Sequence, residues 1–164
     1  MAGDVLIRPA TPDDLPGVRA LLVETWHDTY DALIGAVRVT EITNSWHSVE
    51  NLARQLDIPD TSFLVAEEDE AIIGHAFANA RTPPVLVIAR LYVRPDRQRR
   101  GIGASLIASA MARHRGTEVM RLEVEAENDK GLSFYRREGF QEVGRSVTEG
   151  IDHIAMEKRL TRGG

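Results

Sequence analysis

Cysteine is absent from this 164-residue chain, which removes disulfides, thiolate metal sites and thiol nucleophiles together. Long apolar runs are absent too. Nothing approaches the roughly 20 residues that span a bilayer, and the opening Met1-Ala2-Gly3-Asp4 lacks the pattern of a signal peptide. Basic residues are in deficit, 20 Lys and Arg against 25 Asp and Glu, for a net charge of −5. A general nucleic-acid binder is usually basic, so that partner is not expected. The five histidines are scattered, with no His-x-x-x-His or carboxylate spacing to suggest a metal site. No internal repeat or low-complexity tract breaks the chain. With 43% hydrophobic residues, residues 1–164 are expected to form one domain with a real core, ending in a disordered Thr161-Arg162-Gly163-Gly164 tail.

The predicted order of elements is β-α-α-β-β-β-α-β-α-β-β. Val5 to Arg8 reads as a short strand. Thr11-Pro12-Asp13-Asp14 reads as a helix start, with a hydroxyl cap, proline at the first position and acids in the first turn. Leu15, Val18, Leu22, Trp26 and Tyr30 recur at three and four, so one face of that helix packs on a sheet. Ile42, Trp46, Val49, Ala53 and Leu56 predict a second helix, linked to the first at Gly35. Phe63 to Ala66 and Ile72 to Ala78 form a hairpin about the acidic turn Glu67-Glu68-Asp69-Glu70. After the Thr82-Pro83-Pro84 loop, the apolar run Val85 to Val93 is the central strand, ended by Pro95. Met120, Leu122 and Val124 alternate with Arg121, Glu123 and Glu125 on a strand with one polar face. Phe140 to Val143 and about His153 to Met156 close the sheet.

Chemistry concentrates after the central strand. Gln98-Arg99-Arg100-Gly101-Ile102-Gly103 opens an amphipathic helix from Ile102 to about Arg113. The first amides of a helix have no intrahelical partner, and the helix dipole adds partial positive charge there. The glycines let backbone close on a bulky anion, and Arg97, Arg99 and Arg100 add cationic character, so the segment reads as a pyrophosphate cradle. It is not a dinucleotide fingerprint: Leu106 stands where a third glycine is needed. Gly-Lys-Ser/Thr, required for a Walker-type loop, is also missing. Ordinary loop glycines at a helix start remain the alternative.

A second segment, Asn128-Asp129-Lys130-Gly131-Leu132-Ser133-Phe134-Tyr135-Arg136-Arg137-Glu138-Gly139-Phe140, reads as an N-cap, a short helix, a glycine stop and a new strand. Leu91-x-Val93-x-Pro95 precedes Gln98-x-x-Gly101-x-Gly103, and Asn128 stands seven residues before Tyr135, with Gly139-Phe140 behind. In this paired order the chain resembles the GNAT superfamily of N-acetyltransferases, which move acetyl from acetyl-CoA to amines. The match runs from about Val85 to Phe140. Gly131 departs from it, standing where the family usually has alanine.

The resemblance implies an α/β (α+β) fold in a single domain: a mixed, mostly antiparallel sheet of six to seven strands, with splayed central parallel strands and about four flanking helices. It implies acetyl-CoA as cosubstrate, bonded to the backbone of Leu91, Tyr92 and Val93. The pyrophosphate is expected on amides from Arg99 through Arg100, Gly101, Ile102 and Gly103 to Ala104, with Gln98 beside it. Asn128 is expected to bond the pantetheine arm and Tyr135 to protonate the leaving thiolate. A phenol with an ordinary pKa near 10 suits that acid role; Phe134 has no proton to give. Glu123 occupies the position of the glutamate base in the ribosomal-protein and peptide N-terminal branch, with Glu125 in reserve and a relaying water as a further option. His75 reads as a hydrogen-bonded structural histidine.

Glu24-Thr25-Trp26-His27-Asp28-Thr29-Tyr30 resembles the Trp-x-x-Thr-Tyr helix end of some polyamine-acetylating members. That puts Trp26, Asp28 and Tyr30 in the acceptor site, with Asp28 or Glu24 facing a second ammonium. Each assignment has a structural alternative: Asn128 as a cap only, Tyr135, Trp26 and Tyr30 as core, the acids as solvated. Direct attack in a ternary complex is expected, on a small-molecule or peptide amine, with no nucleic acid, membrane or metal involved. A cytoplasmic homodimer is the family expectation. Two other readings stay open: a non-catalytic acyl-CoA sensor, and a bulkier donor such as succinyl-CoA, for which Arg90 would supply the cation.

Overall fold

The apolar run Val85–Val93 lies in the middle of a seven-stranded sheet, with three strands on either side. The computed structural model describes residues 4–148 and 150–160; the expectation for the 161–164 tail lies outside them. The strands are β1 (Leu6–Pro9), β2 (Thr61–Glu68), β3 (Ala71–Thr82), β4 (Val85–Val93), β5 (Val119–Glu125), β6 (Gln141–Thr148) and β7 (Ile151–Arg159). Their order is β1-β2-β3-β4-β5-β7-β6. Every neighbouring pair is antiparallel except β4 and β5, which run parallel. The sheet is thus mixed and mostly antiparallel, as the resemblance implies.

Strand alternation sorts the core into two layers. Leu64, Ala66, Ala76, Ala78, Leu122 and Val124 pack on one face against α4 (Ile102–Arg113) and α5 (Asp129–Arg137). Phe63, Val65 and Phe77 pack on the other against Leu15, Val18 and Leu22 of α1 (Leu15–Ile34) and Leu52 of α3 (Val49–Gln55). The intervening α2 (Ala36–Trp46) sets Val39 and Ile42 against Trp26 and Tyr30.

Five helices among the described residues exceed the expected four because the second predicted helix is two. The apolar spacing runs unbroken from Ile42 to Leu56, yet the chain breaks at His47-Ser48. The Ser48 hydroxyl accepts the Asn51 amide at 3.2 Å, an N-cap that begins a new helix. At the first helix turn, Thr11 is the N-cap and forms a capping box with Asp14. Its carboxylate accepts the Thr11 amide at 2.8 Å and is held by Arg8 at 2.7 and 2.9 Å.

One departure from regularity builds the site. Ala78 pairs with Ile88 but Phe77 pairs with Arg90, which leaves Ala89 as an extra residue in β4. A bulge bends its strand. The parallel ladder with β5 accordingly stops early, after Val85–Val119, Leu86–Met120 and Val87–Arg121. Beyond Val87 the two strands splay.

Candidate active site

The splay leaves one edge of β4 unpaired in the middle of the sheet. Arg94 donates its amide to Ile73 of β3 at 2.8 Å. Alternation then turns the backbone of Tyr92 and Arg90 toward β3 as well, and that of Leu91 and Val93 into the gap. Of the three backbone groups expected to meet a ligand, two therefore face it. Tyr92 instead sends its side chain under α1, where its hydroxyl accepts from Trp26 Nε1 at 3.1 Å.

At the mouth of the gap, Gly101 caps α4 with φ +79° and Arg99 has φ +66°. The helix's first internal bond is Ser105 N–H to Gly101 O at 3.0 Å, so the amides of Ile102, Gly103 and Ala104 have no partner within it. Gly103 is small for a different reason: a Cβ there would sit 3.1 Å from Phe134 Cζ. Gln98 is exposed and donates to the Val93 carbonyl at 3.2 Å. The three arginines do not act alike. Arg97 turns back to the buried Glu68 at 2.7 Å, with Asp96 also on it, and Arg100 reaches Glu68 at 4.0 Å. Glu68, which reads from sequence as part of an acidic hairpin turn, is buried and organises this loop from beneath.

Across the gap, Asn128 caps α5. Its Oδ1 accepts the Gly131 amide at 2.9 Å, and its Nδ2 donates to Glu125 at 3.0 Å. This explains Gly131: an alanine Cβ would lie 2.7 Å from Asn128 Nδ2. Tyr135 is partly buried, its ring edge-on to Phe134 at 5.2 Å and Phe140 at 5.7 Å. Burial pushes its phenol well above the ordinary range, with Tyr92 and Glu125 near enough to add to the rise. The phenol therefore stays protonated at neutral pH. Glu123 is exposed on β5 and Glu125 buried. Both project to the face that carries Tyr92, because Leu122 and Val124 pack on the other.

The acetyltransferase (GNAT) domain family matches residues 29–160. This chain belongs to it. The CoA-bound crystal structure of the PaiA N-acetyltransferase from Thermoplasma acidophilum superposes with a TM-score of 0.85 at 26% identity, covering 96% of this chain and 99% of that one. The spermidine N(1)-acetyltransferase of the same organism is 28% identical over 93% of this chain and 96% of its own length. The N-alpha-acetyltransferase RimI of Mycobacterium tuberculosis is 36% identical over 56% of this chain; that match spans 59% of its length.

In this GNAT chain the expected acceptor cluster is only partly assembled. Trp26 and Tyr30 stack at 4.3 Å between ring centres, but both are buried in the core with Val39 and Ile42. Asp28 does not join them. Two positions along a helix turn a side chain to the opposite face, and Asp28, like Glu24, is exposed. His75 is fully buried and hydrogen-bonded to the Leu64 carbonyl at 2.8 Å, as a structural histidine should be. Sequence reading gave no role to His47, which is buried against Trp26 at 5.4 Å between ring centres.

Proposed function

We propose that this GNAT chain transfers an acetyl group from acetyl-CoA to a primary amine by direct attack in a ternary complex. The observation that carries this reading is the β4–β5 gap, where free strand edge, a helix N-terminus and Tyr135 converge. The cosubstrate's thioester and pantetheine arm lie in the gap, taking backbone bonds from Leu91 and Val93. Its pyrophosphate rests on the amides of Ile102, Gly103 and Ala104, with Arg99, Arg100 and Gln98 at the rim. Asn128 borders the arm.

The chemistry follows from what faces the thioester carbon. A neutral amine enters from the α1 side and forms the C–N bond, and negative charge gathers on the carbonyl oxygen. Backbone N–H groups fixed on β4 stabilise that charge without reorganising. The C–S bond then breaks. A thiolate with ordinary pKa near 8.5 does not take a proton from a phenol above 10 unaided, so Tyr135 must donate in concert with bond cleavage. The proton lost by the attacking amine passes through water to Glu123, which is exposed and on the entry side; Glu125, already bonded to Asn128, is less available. The proton then returns to the tyrosine through solvent.

The test is release of CoA thiol from acetyl-CoA across an amine panel, with wild type and Tyr135→Phe side by side. Turnover on one amine class, with kcat reduced at least about tenfold in the variant, is the expected result. CoA binding without thiol release on any amine would defeat the proposal.

A further inference from the structure

Arg90 projects from β4 into the apolar layer beneath α1, and no carboxylate among the described residues pairs with it. Its guanidinium lies over the rings of Phe77 and Phe63, 4.9 and 5.5 Å from their centres. Its Nε donates to His75 Nε2 at 3.0 Å. His75 gives its Nδ1 proton to the Leu64 carbonyl, so the ring is neutral and supplies a lone pair, not a counter-charge. Arg90 Nη2 is buried with no hydrogen-bond partner. His47 Nδ1 is buried without a partner too. Burial first, then the charges of Arg90 and Arg19, hold His47 neutral. Aromatic faces offset part of the cost of burying a cation, but they leave an N–H donor unsatisfied. Of the three buried side-chain atoms without a partner among the described residues, Gln55 Oε1 can only accept, whereas Arg90 Nη2 and His47 in its Nδ1–H form can donate, which is what the oxygens of an anion require.

Their place in the fold narrows the anion. Arg90 adjoins Leu91, whose backbone faces the gap, and its side chain shares the α1 face with Tyr92, Glu123 and Glu125. We propose that Arg90 and His47 form a receptor for a carboxylate carried by one of the two substrates, beside the amine of the acceptor or at the far end of the acyl group. This rests on the transferase reading of the gap. A carboxylate has two oxygens: one takes a charge-assisted bond from Nη2, the other the proton of His47 in its Nδ1–H form. A polyamine gains nothing here and meets a like charge. The site therefore selects an amino-acid-like acceptor or a dicarboxylic acyl donor over a spermidine-like one.

Two arms separate the sources. In the first, acetyl-CoA is the donor, and free L-α-amino acids are compared with their carboxamides. In the second, succinyl-CoA is compared with butyryl-CoA on one fixed amine. Thiol release gives kcat/KM, and tryptophan fluorescence, from Trp26 against His47 and Trp46 beside it, gives binding independently of turnover. In one arm the carboxylate form is expected to win by at least about tenfold, mainly through KM, the factor that one charge-assisted hydrogen bond supplies. Arg90→Met and His47→Leu bring the ratio toward unity. Should either variant fail to fold, the wild-type ratio decides alone. Equal handling of acid and neutral forms in both arms overturns the carboxylate receptor, and the transferase reading stands if thiol is released. Selective binding of the acid forms without thiol release keeps the receptor and sinks the transferase reading.

Discussion

Asn128 joins two structures with one side chain: its oxygen holds the first turn of α5, and its nitrogen, 3.0 Å from Glu125, holds the end of β5. The far wall of the gap is thereby fixed to the strand that diverges from β4. Asn128→Asp separates the two roles. Aspartate still accepts the Gly131 amide but faces Glu125 as a like charge. The variant is expected to be less stable than wild type by about 1–2 kcal/mol at pH 7, the scale of a lost buried hydrogen-bond partner. The deficit should shrink in acid, once protonation of one carboxyl removes the repulsion. Urea denaturation at pH 7 and pH 4 reads both; a constant deficit would assign the loss to the cap alone.

Tyr135→Phe is expected to leave the melting temperature nearly unchanged, since no described residue hydrogen-bonds its hydroxyl, while kcat falls at least about tenfold. The KM for the acyl donor should move little. Thermal melts and thiol release on one preparation settle it: a fall in stability matching the fall in rate would make Tyr135 a packing residue.

Gly101 and Gly103 are required for unlike reasons, which alanine exposes. At Gly101 nothing lies within 4 Å of an added Cβ, but φ is +79°. Gly101→Ala should therefore cost about 1–2 kcal/mol through backbone conformation alone. At Gly103 the backbone is permissive and the neighbour is Phe134. Gly103→Ala should be partly rescued by Phe134→Leu, whereas Gly101→Ala should not. CoA titration calorimetry on the four proteins, with denaturation curves, tests the distinction.

Acid should destabilise this protein earlier than carboxylate titration would. His47 is held down to about 3, first by burial and then by the Arg90 charge, and His75 is lowered by the same two causes in the same order. Unfolded histidines protonate near 6.5. Between those values the unfolded state binds more protons, so stability rises with pH, by up to about 1.4 kcal/mol per unit for each buried ring. The loss should begin as pH falls below about 6.5 and flatten for His47 near 3. A pH series of denaturation midpoints, with His47→Gln showing a shallower slope, is the check.

Local order was legible and long-range capture was not. The strand Val85–Val93, helix Ile102–Arg113 and helix after Asn128 follow from periodicity, proline stops and caps, all written within a few residues. The break at Ser48 escaped because apolar spacing stays in phase across it, although Ser48 and Asn51 carry a capping signal. Glu68 and Arg97 are 29 residues apart, and nothing in either neighbourhood announces the pairing that turns Arg97 away from the cradle. Trp26 and Asp28 illustrate the converse: adjacency in sequence suggested one acceptor site, and helical rotation divides them.

The short parallel ladder has a mechanical meaning. Among the described residues, β4 and β5 pair at Val85, Leu86 and Val87, with Pro84 accepting the Glu118 amide just before them, all at one end, so the sheet resembles a clothes-peg sprung at its closed tip. Whatever lies between the jaws takes the place of the missing rungs. An occupied gap then works as a strand substitute, adding edge-to-edge bonds between two halves that the polypeptide itself joins beyond Val87 through shared apolar packing. Hydrogen-exchange protection of Leu91 and Val93 would report the occupant directly.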